Sequence, residues 1–394
     1  LGSEAVANTK RKLGLDPGLA FQGEERFLQL RSEIQERGDR IEREWFSHVS
    51  SLADNDGFRS KVLSQITEAS TNLEKSSFGE SSSLRATNRM IVSFLQNQCE
   101  WIVSGSADLT ESTGLPVPVE LTKVRARVSP FPDSNISFGV REKSMAGYAV
   151  GLATLGVFPI VSTYLVFSDF LRAEIRMAAM MRSRAVFLLS HDSVAIGGDG
   201  PTHQPVEHLA SLRVIPGLTV VRPANSKELV SSWSKILLCD GPVCLILSRE
   251  ETMNLGSKQS SSAMASKGAY IHSETAYPGD IDLLIIASGS ELALGEGIWR
   301  VLDSAERRVR LVSMPSLEWF LQTSPDYQRS VCGPSSLRTV LIEAGSSAGW
   351  VKLQRTNARH VSIERFGESN NPDSIRETFR LKVDYILEDI EDFL

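Results

Sequence analysis

The stretch HDSVAIGGDGPTHQP, from His191 to Pro205, decides the fold of this chain. The apolar run at 185–189 before it predicts a buried strand, and the pattern at 205–212 after it predicts a helix. A loop in that position lies at the carboxyl edge of a parallel sheet, where open α/β folds bind their ligands. Three glycines in this glycine loop allow close approach of the backbone, so its histidines and aspartates can converge on a small molecule.

Length and composition indicate a soluble globular protein of two or three domains. The chain has 394 residues, 41% of them hydrophobic and 23% charged, with a net charge of −6. That charge argues against a nucleic-acid or anionic-membrane partner, and no apolar run is long enough to span a membrane. The four cysteines show no CxxC pairing, which favours the reducing cytoplasm over a disulfide framework or a zinc site. The chain begins at Leu1 and not at methionine, so we expect a processed or partial chain.

On the N-terminal side, residues 1–83 predict a helical connector. Apolar side chains recur there at broken helical spacing, with charged residues between them. The apolar members of this stripe are Phe27, Leu28, Leu30, Ile34, Ile41, Trp45 and Phe46. The composition of 74–83, rich in serine, predicts a loop at the end of the connector.

An α/β domain is predicted from residue 84 to residue 255. Short apolar runs alternate with amphipathic segments, which is typical of a parallel sheet covered on both faces. The strand candidates are 101–104, 137–139, 158–162, 185–189, 218–221 and 243–247. The helix candidates are 84–97, 142–155, 169–181, 205–212 and 226–238.

A second α/β domain is predicted at 266–394, after a Ser-rich linker at 256–265. Buried-strand patterns recur at 281–291, 309–316 and 338–347, and a further strand is expected at 361–369. The predicted fold class is therefore α/β, with two doubly wound, mainly parallel sheets behind a helical connector.

The glycine loop and the segment that follows it, EHLASLRVIPGLTVVRPAN, closely resemble the transketolases, whose usual loop is THDSIGxGEDGPTHQP. A second segment, GVREKSMAGYAVGLA at 139–153, resembles their GxREHxMAxIxNGxA. The resemblance implies a pyrimidine-binding domain for thiamine diphosphate followed by a transketolase-type C-terminal domain. It also implies transfer of a two-carbon ketol unit from a ketose phosphate to an acceptor. Lys143 and Gly198 depart from the family pattern.

The same resemblance implies the cofactor-binding residues. Glu142 corresponds to the catalytic carboxylate that contacts N1′ of the aminopyrimidine and assists proton transfer there. Tyr164 and Phe167 correspond to two aromatic residues that flank this ring, since stacking suits a flat heteroaromatic group. Asp108, in GSADLTES, corresponds to a residue near the cofactor and the partner subunit.

The donor-binding residues are implied in the same way. His191, a second catalytic candidate, and Asp199 correspond to residues that hold the hydroxyl groups of the donor. The candidates for its phosphate are Ser112, His203 and Arg249, and an arginine fork suits a phosphate. A second phosphate arginine is expected in RATNRMIVS, where Arg85 and Arg89 are both candidates and the aligned place falls on Asn88.

The diphosphate and metal site of the family lies in a separate N-terminal domain, which this sequence lacks. No acidic cluster for a cation is apparent, so we expect no metal ligand here and Mg²⁺ held by the partner domain. The expected partner is an N-terminal transketolase-like subunit or domain, in a homodimer or an α2β2 assembly. Two alternatives stay open: a 1-deoxyxylulose-5-phosphate synthase or keto-acid dehydrogenase β-like subunit, and a non-catalytic transketolase-like binding protein.

Overall fold

The computed structural model describes residues 2–20, 24–51, 55–76, 78, 83–117, 135–252 and 261–394. By its internal contacts the chain divides into two units, Leu1–Lys61 and Val62–Leu394. Residues 256–260 of the expected Ser-rich linker lie outside the described ranges, and the 3-10 helix Ser261–Lys267 follows them.

The first unit is helical. Helix α1 spans Ser3–Lys12 and α2 spans Glu24–Ser51, while α3, at Asn55–Lys75, begins before the division at Lys61. Most of the expected apolar stripe lies on α2, where these side chains are more than half exposed; its last member, Phe46, lies outside the described side chains. No helix in the described ranges has both the length and the apolar character needed to cross a membrane.

The larger sheet of the second unit has six parallel strands in the order β2-β1-β3-β4-β6-β5. The strands are β1 Ile102–Ser106, β2 Asn135–Ser137, β3 Phe158–Tyr164, β4 Val186–Ser190, β5 Thr219–Val221 and β6 Val243–Leu247. Every residue of β4 and β6 is buried, as expected for inner strands of a parallel sheet covered on both faces.

Helices accompany these strands, and two of them begin at a side-chain cap. They are α4 Leu84–Gln98, α5 Thr110–Thr113, α6 Glu142–Thr154, α7 Arg172–Met181, α8 His208–Arg213 and α9 Ser226–Ile236, with 3-10 segments at Val166–Leu171 and Val194–Ile196. The Ser83 hydroxyl accepts from the Ala86 N–H at the start of α4, and Asn225 accepts from the Glu228 N–H at the start of α9.

The smaller sheet has five strands in the order β11-β10-β8-β9-β7. They are β7 Tyr270–Glu274, β8 Leu283–Ala287, β9 Val309–Ser313, β10 Thr339–Ile342 and β11 Ala358–Val361. The accompanying helices are α10 Leu292–Ser304, α11 Leu317–Leu321, α12 Pro325–Cys332, α13 Pro372–Thr378 and α14 Val383–Ile390. Among the described strands, the edge strand β7 alone runs antiparallel to its neighbour.

The predicted α/β fold class is confirmed, while three element predictions need correction. The strand expected at 137–139 lies two residues earlier, as β2 at Asn135–Ser137. The strand expected at 361–369 is wrong beyond its first residue, because β11 ends at Val361 and the following segment contacts the glycine loop. The helix expected at 205–212 begins later, at His208, because the Val206 carbonyl accepts from the Ser346 N–H and does not join the helical pattern.

An ion pair joins the two sheets. Arg213, at the end of α8, donates from Nη1 and Nη2 to the two carboxylate oxygens of Glu343, at 2.6 and 2.8 Å. Burial disfavours both charges, but their attraction outweighs it, so the pKa of Arg213 is raised and that of Glu343 is lowered. The guanidinium carbon lies 5.1 Å from the ring centroid of Trp350.

A second arginine, Arg222, lies fully buried between the two sheets. Its Nε donates to Asp192 Oδ2 at 2.9 Å, and its Nη1 donates to the Ser288 carbonyl at 2.8 Å and to Glu291. Asp192 belongs to the glycine loop, whereas Ser288 and Glu291 follow β8 of the smaller sheet. One guanidinium therefore connects the glycine loop to the C-terminal sheet.

We predict that Glu343→Ala lowers the free energy of unfolding by about 3–5 kcal/mol, because it leaves the Arg213 guanidinium buried and unpaired. Urea denaturation followed by circular dichroism measures the change. The double variant Arg213→Met with Glu343→Leu should lose less than Glu343→Ala, since both charges are then removed. An equal or larger loss in the double variant would contradict this account.

Candidate functional site

The carboxyl ends of neighbouring parallel strands bring the predicted site residues together. In the sheet register, Tyr164 at the end of β3 pairs with Ser190 on β4, and Ser190 pairs with Leu247 on β6. The residues just beyond these strands, His191 and Arg249, therefore leave the sheet at the same edge as Tyr164. This is the edge that the sequence predicts for ligand binding.

Aromatic rings form a row at this edge. Tyr164 and Phe167 are nearly parallel, with ring centroids 5.8 Å apart and planes inclined by 12°. The ring of His191 stacks on Tyr164 with centroids 3.7 Å apart. Stacked rings lie about 3.5–4 Å apart, so Tyr164 and Phe167 would have to separate by about 1 Å to admit a ring between them. As described, the pair leaves no room for a ring between them, so the flanking arrangement expected from the resemblance requires that movement.

His191 is held as a neutral imidazole in a strained position. Its backbone has a φ of 61°, which costs energy for a residue other than glycine, and Nδ1 lies 2.9 Å from the Ser190 hydroxyl. Burial lowers its pKa to about 3, with further contributions from Arg85, Arg249 and His203. A neutral ring here can exchange hydrogen bonds with sugar hydroxyls without adding charge.

Glu142 is a buried carboxylate at the first residue of α6. The unpaired N–H groups at a helix N-terminus favour a negative charge at this position. The Thr163 hydroxyl donates to Oε1 at 3.5 Å, which is a long hydrogen bond, so the carboxylate keeps most of its acceptor capacity. These properties fit a partner for a protonated ring nitrogen.

Two arginines give this edge a positive charge. Arg85 donates from Nη1 to the Ser112 carbonyl at 3.0 Å and from Nη2 to the Arg249 carbonyl at 3.2 Å. Arg249 donates from Nη1 to the Ile196 carbonyl at 2.8 Å. Burial, and then repulsion from Arg249, lower the pKa of Arg85. Because these bonds go to neutral carbonyls, they orient the guanidiniums without neutralising them, and the pair suits a phosphate.

The candidates for the second phosphate arginine differ in their contacts. Asn88, at the aligned place, is fully buried: it accepts from Trp233 Nε1 at 2.8 Å and donates to the Gly114 carbonyl at 2.9 Å. Arg89 donates to the Glu111 carbonyl. Of the two arginines, Arg85 is therefore the one in contact with Arg249.

The remaining predicted residues differ in their position. His203 is half-buried and lies edge-on to Phe167, with centroids 5.3 Å apart. Asp199 is exposed on the glycine loop. The Ser112 hydroxyl donates to the Leu109 carbonyl at 3.1 Å, and Asp108 has a φ of 65° just beyond β1. The aromatic row thus includes His203 together with His191.

One group of potential metal ligands occurs in the described part of the chain: Asp169, Glu207 and His208. The two carboxylates approach different nitrogens of the buried His208 ring, Asp169 at 3.3 Å from Nε2 and Glu207 at 3.9 Å from Nδ1. One ligand atom from each of the three side chains nevertheless lies within 4.8 Å of the other two, so this group could hold a metal ion, which was not expected from the sequence.

Comparison with protein-family models gives two matches that follow one another along the chain. Residues 80–254 match the transketolase pyrimidine-binding domain, and residues 268–382 match the transketolase-like C-terminal domain. The chain carries the pyrimidine-binding and C-terminal domains of the transketolase family.

Similar proteins have the same arrangement within longer chains. The chain is 34% identical to a transketolase of Aquifex aeolicus over 94% of its own length and 54% of that protein. It superimposes on the transketolase from Leishmania mexicana with a TM-score of 0.74 at 29% identity, covering 99% of this chain and 58% of that one. A solved split-gene transketolase, described as an inactive β4 tetramer, shares the fold, with a TM-score of 0.62 at 22% identity over 80% of this chain and 98% of that one. The chain thus spans about half the length of the curated transketolases that it matches.

Three residues at this sheet edge were not predicted from the sequence. Phe170 extends the aromatic row, with its centroid 6.2 Å from Phe167, and is 63% exposed. Asp192 and Arg222 are buried and paired, and they connect the site to the C-terminal sheet. A signal was present for this pair, because a charge inside an apolar run such as LTVVRPAN predicts a buried partner.

We predict that His191 stays uncharged between pH 8 and pH 5, because its pKa lies at about 3. An unfolded histidine takes up its proton near pH 6.5 and the folded one does not, so acidification from pH 6.5 towards pH 3 destabilises the fold through this residue. NMR of ¹⁵N-histidine-labelled protein, with His191→Gln for assignment, measures the titration. A midpoint near pH 6.5 would show that the ring is not buried as described.

Proposed function

We propose that this chain is the pyrimidine-binding component of a transketolase-type enzyme, which transfers a two-carbon ketol unit from a ketose phosphate to an acceptor. One observation supports the proposal most directly. The buried carboxylate of Glu142, the aromatic row and the arginine pair Arg85 and Arg249 all lie at one edge of the sheet. We assign residues 1–83 to a connector, 84–255 to the pyrimidine-binding domain and 266–394 to the C-terminal domain.

The cofactor end of the site consists of Glu142, Tyr164 and Phe167, with Asp108 at its margin. Thiamine diphosphate, when bound, supplies the electron sink for cleavage of the carbon–carbon bond. Glu142 accepts a hydrogen bond from N1′ of the aminopyrimidine and so holds a proton at that nitrogen. Tyr164 and Phe167 orient the ring by stacking, which leaves its edge nitrogens available for hydrogen bonds.

The donor end of the site is formed by the histidines and arginines. Neutral His191, aided by Asp199, binds the hydroxyl groups next to the scissile bond. His203, Ser112 and Arg249 bind the phosphate, and Arg85 is the second arginine because it donates to the Arg249 carbonyl. Burial of His191 and repulsion from these cations keep its ring neutral, so the positive charge stays at the phosphate end.

The diphosphate and Mg²⁺ of the cofactor are proposed to bind to an N-terminal transketolase-like domain, supplied by a partner subunit or by a longer chain. The matched relatives are about twice as long as this chain, which supports that division. The split-gene transketolase is described as a tetramer, which supports an oligomer here, either a homodimer or α2β2. None of the four cysteines, all of which lie in the described ranges, forms a disulfide, which supports a reducing compartment such as the cytoplasm.

We predict that the chain alone binds thiamine diphosphate with millimolar affinity or weaker. Stacking and one hydrogen bond supply about 2–4 kcal/mol. Adding the N-terminal partner should give tight, Mg²⁺-dependent binding and turnover of a ketose phosphate.

Glu142→Gln should abolish turnover in that pair while leaving the circular dichroism spectrum unchanged. Calorimetry and a coupled ketol-transfer assay test this. Micromolar, Mg²⁺-dependent binding by the chain alone, or normal turnover by Glu142→Gln, would refute the assignment.

Arg249→Ala and Arg85→Ala should chiefly weaken phosphorylated donors. Loss of a charge-assisted phosphate contact costs about 1.5–3 kcal/mol, which is roughly a tenfold to hundredfold loss in kcat/KM. Hydroxypyruvate, which has no phosphate, should be affected far less. Arg89→Ala, on the same helix as Arg85, is the matched control and should behave like the unaltered protein. If both donors lose equally, these arginines do not bind phosphate.

A further inference from the structure

The C-terminal domain contacts the donor end of the site through a short segment at 367–376. The Ser369 hydroxyl donates to the Gly198 carbonyl at 3.0 Å, at the tip of the glycine loop. The Gln204 side chain, at the other end of the loop, donates to the Glu368 carbonyl at 3.0 Å. The same Gln204 amide nitrogen also lies within hydrogen-bond distance of the Val194 and Gly197 carbonyls, at 2.9 and 3.2 Å.

The approach of this segment to the loop is too close for additional side-chain atoms. A Cβ at Gly367 would lie 1.8 Å from Gln204 Oε1. A Cβ at Gly197 would lie 3.0 Å from the Asn370 carbonyl oxygen and from a ring carbon of Pro372. Gly197 also has a φ of 81°, so only glycine fits that position without strain. The loop and the segment therefore pack against each other in a single arrangement.

The same segment contacts the strand end that carries Arg249. Arg376 forms an ion pair with Glu250, the residue after Arg249, and a second one with Asp373 on its own helix at 2.6 Å. Burial raises the pKa of Glu250, and the charge of Arg376 opposes this shift. The pair is less than one-third exposed on both side chains, so solvent screening does not remove it.

Arg222 forms a further connection between the loop and the C-terminal domain. Its guanidinium donates to Asp192 of the loop and also to Glu291 and the Ser288 carbonyl, which follow β8. Asp192 directly follows His191, whose strained φ of 61° needs support from its surroundings. Both flanks of the donor site, the glycine loop and the residue after Arg249, are thus attached to the C-terminal domain.

We propose that the segment 367–376 of the C-terminal domain positions the donor-binding groups, with Ser369 and Arg376 as its positioning residues. The proposal rests on the proposed function, since it assigns the donor site a second supporting domain. Ser369 fixes the tip of the glycine loop, and Arg376 fixes the backbone next to Arg249. Neither side chain belongs to the catalytic or donor-binding set.

The test is a double variant, Ser369→Ala with Arg376→Ala, in the full chain. Amide hydrogen exchange, followed by mass spectrometry, should be about tenfold faster for peptides within 191–205, equivalent to ~1.4 kcal/mol, while peptides of β3 and α6 stay unchanged. In the assembled pair, KM for a ketose phosphate should rise about tenfold. The affinity for thiamine diphosphate should stay unchanged, because the hydrogen bonds and ion pairs given above for this segment do not involve Tyr164, Phe167 or Glu142. The conservative pair Ser369→Thr with Arg376→Lys should restore both readouts.

Arg380→Ala is the matched control, because Arg380 pairs with Glu388 and Asp389 in the same domain and away from the loop. It should leave exchange within 191–205 and the donor KM unchanged. Unchanged loop exchange in the double variant would overturn the proposal, and so would faster exchange with an unchanged donor KM in an active pair. If the unaltered pair shows no ketol transfer, the proposed function fails separately, and the exchange result alone decides whether the segment holds the loop.

Discussion

The buried guanidinium of Arg222 is the constraint on which the site depends. It lies between Asp192 of the glycine loop and Glu291 of the C-terminal sheet, and both carboxylates are buried with it. Burial and the charge of Asp192 raise the pKa of Glu291, and the charge of Arg222 opposes this shift. Loss of the arginine would remove the cation that both carboxylates share, and with it one of the links between the loop and the C-terminal sheet.

This coupling explains how a loop rich in glycine can carry strained, closely oriented groups. Glycine provides the required dihedral angles but makes the free loop costly to order. Here the cost is offset by contacts to three residues of the loop. Arg222 of the same domain binds Asp192, while Glu368 and Ser369 of the C-terminal domain contact Gln204 and Gly198. The resemblance to transketolases suggests a C-terminal domain that packs and dimerises more than it takes part in the site. The contacts of Ser369 and Arg376 give it a direct role in holding that site.

Much of the larger domain can be predicted from the sequence, because its strands are short apolar runs and its site residues follow them directly. The same reasoning places His191 and Arg249 at one sheet edge, and the register of β3, β4 and β6 agrees.

Contacts between domains could not be predicted, since Arg376 pairs with a residue 126 positions away and no local pattern encodes such a distance. The segment 361–369 alternates polar and apolar residues like a strand, yet tertiary contacts make most of it a loop. Asn88 shows a related limit, because alignment gives a position and not the direction in which its side chain points.

Gly198 is one of the two residues that depart from the transketolase pattern, and its surroundings show what this substitution changes. The transketolases resembled by this loop have glutamate there, and a Cβ at Gly198 would meet no atom within 4 Å, so packing does not require glycine. What the position does provide is its carbonyl, which accepts from Ser369. Omitting a carboxylate also removes a negative charge beside Asp199, on the loop that leads to the Arg85 and Arg249 pair. Any residue at position 198 would offer this carbonyl, so the contact with Ser369 does not depend on the missing side chain, and the loop tip is attached to the C-terminal domain in either case.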